Sequence, residues 1–128
     1  MPDYINEFRK KVSQLPPKIK EAMLSDKTTE LISVIDNKYK LNAKQSDKLP
    51  ILVGKIFVKE ISLEDFVNSL KAQLNFESKT AKLITIDIAK NIFIPIKEYF
   101  PAIEKQINQL KEQQNLSDNP NIIDLKKT

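Results

Sequence analysis

The side chains available for catalysis are carboxylates, lysines and tyrosines, because the 128 residues include no histidine and no cysteine. Two carboxylate pairs have a spacing that suits general acid–base catalysis: Glu60 with Glu64 one turn later, and Glu64 with its neighbour Asp65. Both pairs surround Ser62, a residue type that often begins helices, and acidic groups stabilise a helix N-terminus electrostatically. The pairs are therefore interpreted as helix-capping groups rather than as an active site.

Asp87 has the most unusual setting of the acidic residues, since it lies between Ile86 and Ile88 in a strongly apolar segment. Lys90 and Asn91 follow it by three and four residues, the spacing at which side chains meet on a helix surface. The pattern predicts a surface pair between Asp87 and these neighbours. A functional site at Asp87 is the less favoured interpretation.

The missing residue types exclude several kinds of site. Without cysteine and histidine the chain forms no disulfide and no thiolate or imidazole metal site, and it lacks the commonest general base at neutral pH. Gly54 is the only glycine, which excludes a glycine-rich phosphate loop. We therefore expect a protein that is not an enzyme and that uses no cofactor and no metal.

The net charge of +4 raises the question of nucleic-acid binding. Of the 21 basic residues 20 are lysines, whereas base edges and phosphates are read preferentially by the planar fork of arginine, and Arg9 is the only arginine. The excess charge is also spread thinly along the chain. Solvated lysine faces are the favoured interpretation, and a weakly basic nucleic-acid-associated protein is the alternative.

Apolar residues recur at helical spacing along most of the chain, which predicts an all-α fold. Helix starts are indicated at Ser25 or Asp26, at Asn42 with Gln45, and at Ser62 with Asp65. Pro50 lies inside the segment that begins at Asn42, so this segment forms either one kinked helix or two short ones. Residues 77–96 form the most apolar segment and are expected to be the central buried helix.

The middle of the chain aligns on itself when it is shifted by 35 residues, so that Leu49 meets Ile84 and Val53 meets Ile88. Gly54 then meets Ala89, and two small residues at equivalent places suit close helix approach. Each half is a helix, a short loop and a helix, which buries its apolar face only when paired. We predict a compact orthogonal helical bundle. Two duplicated units of about 35 residues and a chance match of hydrophobic spacing remain alternative explanations.

Two stretches carry a resemblance: residues 41–46 leading to residues 53–57, and residues 91–99. These stretches resemble small uncharacterised helical proteins of reduced-genome candidate-phyla bacteria (Patescibacteria). The likeness covers roughly residues 15–105. It implies a helical fold, and it implies no activity, cofactor or partner.

The C-terminal part of the chain holds the residues most suited to binding a partner. An amphipathic helix carries an apolar seam formed by Phe100, Ile103, Ile107 and Leu110. This seam either folds back onto the bundle or binds another protein or a second copy. A flexible tail is expected from residue 116 to residue 128, after a single helical domain of residues 1–115, and its aliphatic residues Ile122, Ile123 and Leu125 suit a short docking motif.

These observations favour a non-enzymatic helical protein–protein interaction or scaffold module that acts through its C-terminal helix and tail. The sequence has no targeting signal and its longest apolar run, residues 92–96, is far shorter than the roughly 20 residues of a membrane span. We therefore expect a cytoplasmic protein that does not insert into membranes.

Overall fold

Seven α-helices account for most of the chain in the computed structural model, which describes the backbone of residues 2–118 and the side chains of residues 6–113. The helices are α1 Pro2–Ser13, α2 Pro17–Met23, α3 Asp26–Lys38, α4 Ala43–Phe57, α5 Leu63–Leu74, α6 Ser78–Ile88 and α7 Ile103–Asp118. A π-helical turn at Ala89–Phe93 and a 3-10 turn at Ile94–Ile96 continue α6. No residue in the described range is in a strand, so the all-α bundle predicted from the sequence is confirmed.

Three helices begin at the predicted capping residues. Ser25 accepts a hydrogen bond from the Thr28 amide at 3.1 Å. Asn42 and Gln45 form a reciprocal capping box at α4, as do Ser62 and Asp65 at α5. These local bonds satisfy backbone N–H groups that would otherwise lack a partner in the first turn, and they fix where each helix starts.

Helix α4 is one continuous helix through Pro50, which decides between the two alternatives left by the sequence. Proline within a helix costs about 3 kcal/mol because it lacks an N–H and crowds the preceding turn. The opposite face of α4 is deeply buried, and that burial offsets the cost. The buried residues of α4 are Leu49, Leu52, Val53, Gly54, Ile56 and Phe57.

Gly54 is the place where α1 and α2 approach α4 most closely. A Cβ atom at residue 54 would lie 3.0 Å from Cζ of Phe8 and 3.4 Å from Cε of Met23. The small residue therefore makes room for the Phe8 ring on the surface of α4, as the sequence suggested for this position.

The core surrounds α6 and the π turn, which pack against α5, α7 and α3. Phe57, Phe66 and Phe93 are almost fully buried there. The rings of Phe57 and Phe93 have centroids 4.7 Å apart, and Phe100 adds an edge-on contact 5.0 Å from Phe93. The expectation that the segment from residue 77 onward is the central element is confirmed.

The apolar seam predicted for the C-terminal helix, which we call the α7 seam, lies in this core, so the alternative that it folds back onto the bundle is confirmed. Phe100, Ile103, Ile107 and Leu110 are 9%, 3%, 4% and 5% exposed. Their burial has a simple cause: α6 is apolar over most of its circumference and needs cover from α7 as well as from α5. The seam is therefore covered within the monomer, which leaves little of its surface for a partner.

The predicted boundary at residue 116 does not coincide with the end of a helix. Helix α7 continues through residues 116 and 117 to Asp118. The tail residues Ile122, Ile123 and Leu125 lie outside the described residues, so their predicted role as a docking motif stays a prediction.

The second helices of the two helical hairpins have matching starts but differ in burial. Helix α6 begins at Ser78, 35 residues after α4 begins at Ala43. Ile86 is buried, however, whereas the equivalent Ile51 is 54% exposed, because α6 is covered by α7 and α4 has no such additional cover at Ile51. A true duplication stays a prediction.

The burial of the α7 seam predicts a large difference between two Ile→Ala substitutions. Ile107→Ala removes a core side chain and is expected to lower the free energy of unfolding by about 2–5 kcal/mol. Ile51→Ala is the matched control: the same atoms are lost from an exposed position, and the expected change is within about 0.5 kcal/mol. Urea denaturation measures both. Equal losses in the two variants would contradict the assignment of the seam to the core.

Candidate functional site

The carboxylate pairs around Ser62 have structural partners. Asp65 accepts a hydrogen bond from the Ser62 amide at 3.1 Å, as the capping interpretation predicted. Glu60 accepts a hydrogen bond from Lys11 at 3.0 Å and lies 3.9 Å from Nζ of Lys55, while Glu64 is exposed in the first turn of α5. The carboxylates therefore serve in a helix cap and in ion pairs.

Asp87 binds to α3 rather than to the predicted neighbour Lys90. Its Oδ2 accepts hydrogen bonds from Nζ of Lys38 at 2.8 Å and from the phenol of Tyr39 at 2.6 Å. Asn91 is close, as expected, but its side-chain amide donates to the backbone carbonyl of Asp87 instead. These bonds attach the C-terminal end of α3 to α6. We call Asp87, Lys38 and Tyr39 the α3 anchor.

The electrostatics of the α3 anchor keep its donors protonated. Burial, and then the hydrogen bond to Asp87, raise the pKa of Tyr39 above its ordinary value. The hydrogen bond and the charge of Asp87 raise the pKa of Lys38. Both shifts move the groups further from neutral pH, whereas a catalytic acid or base works best with a pKa near the operating pH. The anchor is thus suited to holding two helices together.

At the other end of α3 an open groove of about 390 Å³ separates α2 and α3 from the π turn. We call it the α3 groove. Val34, which is 55% exposed, and the partly buried Leu31 contribute apolar surface from α3. The remaining lining is Ala22, Ser25, Lys27, Thr28, Glu30, Asn91, Ile92, Pro95 and Ile96. Val34 thus gives this groove an exposed branched aliphatic side chain.

The π turn shapes one wall of the α3 groove. The Ile94 amide donates a hydrogen bond to the carbonyl of Ala89, five residues earlier, and the Asn91 side-chain amide donates one to the carbonyl of Asp87. Pro95 has no amide hydrogen to continue the α-helical ladder. Ile92 lines the groove from the widened π turn, and Pro95 and Ile96 line it from the 3-10 turn that follows. π turns of this kind occur frequently at functional sites.

The opposite wall is fixed by the corner between α2 and α3. The Thr28 hydroxyl donates to the carbonyl of Ala22 at 2.8 Å, and Ser25 caps α3. These bonds hold the two helices at a set angle. The α3 groove is therefore preformed, which lowers the cost of ordering it when a ligand binds.

Two other grooves are less suited to an apolar ligand. One of about 410 Å³ lies between the α4–α5 connection and the start of α7, and there the Lys59 ammonium covers aromatic surface, 5.5 Å from the ring centroid of Phe100. The other, of about 350 Å³, lies between α5, α6 and the second half of α7. Most of its lining is polar, and its apolar members Leu63, Val67 and Leu110 are already buried.

Exposed lysines are distributed over the whole bundle. Each of the seven helices carries at least one exposed lysine among the described side chains, for example Lys10 on α1 and Lys111 on α7. This distribution matches the interpretation of solvated lysine faces and offers no single helix as a basic face. The nucleic-acid alternative stays a prediction.

No family model, curated protein or solved structure matches this chain. The resemblance to the candidate-phyla proteins stays a prediction. The geometry of the grooves and of the charged groups is therefore the basis of the proposed function. Across the described part of the chain, no helix combines the length and apolarity of a membrane span, and acidic residues do not gather in groups of three that could hold a metal ion.

One feature of the sequence indicates the α3 groove: an aliphatic residue of α3 that does not belong to the apolar stripe of that helix. Val34 is an aliphatic residue that lies outside the apolar stripe of α3, which consists of Leu31, Ile32, Ile35 and Tyr39. An aliphatic residue off the stripe points away from the core. Its neighbours across the groove come from 57 or more residues later in the chain and follow no local pattern.

The α3 anchor predicts the alkaline titration of Tyr39. Because the folded pKa is raised, the anchor's contribution to stability is present below the ordinary value of about 10 and is lost as pH rises through the folded pKa. Tyr39→Phe should remove a late-titrating tyrosine from the ultraviolet titration curve. Asp87→Asn should move that titration towards the ordinary value. An Asp87→Asn curve identical to that of the wild type would refute the anchor.

Proposed function

We propose that this chain is a non-enzymatic protein–protein interaction module that binds a short aliphatic segment of another polypeptide in the α3 groove. The observation that carries the proposal is a preformed apolar groove with Val34 exposed at its edge and Leu31, Ile92 and Ile96 around it. Binding modules of this type place two or three aliphatic side chains of a helical or extended ligand in such a groove.

The size of the groove fits a ligand of this class. Its volume of about 390 Å³ falls within the range of roughly 300–1,000 Å³ typical of ligand sites. Burying one aliphatic side chain is worth about 1.5–3 kcal/mol, and part of this is spent on ordering the ligand. We therefore expect dissociation constants between about 1 µM and about 1 mM, as for a transient interaction.

The charged rim indicates what should flank the aliphatic residues of the ligand. Lys27 and Glu30 both line the groove, one helical turn apart on α3. A complementary ligand carries an acidic residue and a basic residue next to its aliphatic residues. Such pairs contribute more to orientation and specificity than to affinity.

The titratable clusters support a function without catalysis. Asp87 is engaged by two α3 donors, Asp65 by a capping box, and Glu60 by lysines. These three carboxylates thus have structural roles in the bundle, and the α3 groove contains a single carboxylate, that of Glu30, among its lining residues. A cytoplasmic location stays a prediction.

A display experiment with matched variants tests the proposal. Random peptides are selected against the full chain and then measured against Val34→Asp and against Ile51→Asp, which places the same charge at an equally exposed aliphatic position outside the groove. Selected peptides should contain paired aliphatic residues and should bind Val34→Asp at least tenfold more weakly, equivalent to about 1.4 kcal/mol. Binding to Ile51→Asp should equal wild-type binding.

Two results would refute the proposed function. One is a selection that yields no binding peptide at millimolar affinity or better. The other is a set of peptides whose affinity is the same for wild type and for Val34→Asp, because such peptides bind elsewhere.

A further inference from the structure

We infer that the segment bound in the α3 groove is the C-terminal segment, residues 119–128, of a second copy of this chain. The inference rests on the proposed function and names the ligand of that same groove. Its basis is the position where the described part of α7 ends, the length of chain that follows, and the chemistry of that segment compared with the groove.

Helix α7 runs antiparallel to α6 and therefore ends far from the α3 groove. Phe100, just before α7, makes an edge-on contact with Phe93 at the end of the π turn, whereas Leu110 and Gln113 share a groove with Ser78 at the start of α6. The π turn also forms one wall of the α3 groove. The beginning of α7 is thus near the groove, and its end at Asp118 is at the opposite end of the bundle.

The distance exceeds what the same chain can span. From Ser78 to Ile92 the helical rise amounts to roughly 21 Å, and residues 114–118 extend α7 by about 7 Å more, which gives roughly 28 Å along the axis. Fully extended, the chain from Asp118 reaches at most about 14 Å to Ile122 and about 24 Å to Leu125. Ile122 and Ile123 therefore cannot enter the groove of their own copy, so binding of both isoleucines requires a second copy.

The segment has the composition expected of a ligand for this groove. Ile122, Ile123 and Leu125 are aliphatic, Asp124 lies between them, and Lys126 follows directly. An acidic and a basic residue thus accompany the aliphatic residues, which is the complement of Lys27 and Glu30 on the groove rim. The groove nearest to the end of α7 is a poorer site for the segment, because most of its lining is polar.

An interaction between the groove of one copy and the C-terminal segment of the next is heterologous. Each copy then offers one groove and one segment, so addition of copies continues until a ring closes or the chain of copies ends. The expected product is a concentration-dependent series of oligomers rather than a single dimer.

Sedimentation equilibrium of full-length variants tests this inference by complementation. The first variant, Val34→Asp, lacks the groove but keeps the segment. The second, Ile122→Asp with Ile123→Asp, lacks the segment but keeps the groove. Over about 10 µM to about 1 mM, wild type and the control Ile51→Asp should exceed the monomer mass, and each variant should remain monomeric. Circular dichroism verifies that every variant is folded.

An equimolar mixture of the two variants gives the decisive result. One intact groove and one intact segment remain, so the mixture should form dimers and nothing larger. A monomeric wild type, association that either variant leaves unchanged, or a mixture that stays monomeric would overturn the inference. Failure of the proposed function is seen separately, as the absence of peptide binding that depends on Val34.

Discussion

The burial of α6 is the constraint on which the rest of the bundle depends. This helix carries apolar side chains around most of its circumference, and together with the π turn it packs against α5, α7 and α3. A helix of this kind is stable in water only when its neighbours cover it on several sides. That requirement fixes the place of α7, whose apolar seam is used in covering α6. The C-terminal helix is therefore structural. The candidate binding surface, the α3 groove, lies on the other side of the bundle.

On that side α3 covers α6 unevenly, and the unevenness creates the groove. At its C-terminal end α3 is held by the α3 anchor, with two hydrogen bonds to one oxygen of Asp87. Towards its N-terminal end the chain opposite changes from α-helix to π turn at Ala89–Phe93, and the backbone widens before Pro95. The α2–α3 corner cannot follow this change, because the Thr28 hydroxyl and the Ser25 cap fix it. Helix α3 is therefore attached to α6 by the polar contacts of the α3 anchor at its C-terminal end, and it borders an open, apolar groove towards its N-terminal end.

Local sequence patterns predicted the elements of this fold and not their partners. Capping boxes, helix starts and the central apolar segment depend on residues within one or two turns, so Asn42 with Gln45 and Ser62 with Asp65 were found directly. The α7 seam shows the limit, because spacing identifies an apolar face but not what covers it. Asp87 shows the same limit for polar groups: its phenol partner Tyr39 lies 48 residues away, whereas the helical pattern offered only Lys90 and Asn91. The groove combines both difficulties, since Val34 and Ile92 meet only through tertiary packing.

The division between a covered α7 seam and an uncovered α3 groove is the central claim, and methyl relaxation by a soluble paramagnetic agent tests it most directly. The agent approaches solvent-exposed methyl groups and has little effect on core methyl groups, so one spectrum of the full-length Ile122→Asp, Ile123→Asp variant, whose groove holds no segment of a second copy, reports both surfaces. We predict strong relaxation for Val34, comparable to that of the exposed Ile51, together with protection of Ile103, Ile107 and Leu110. Relaxation of Ile107 and Leu110 as strong as that of Val34 would contradict the account, because α7 would then leave α6 uncovered.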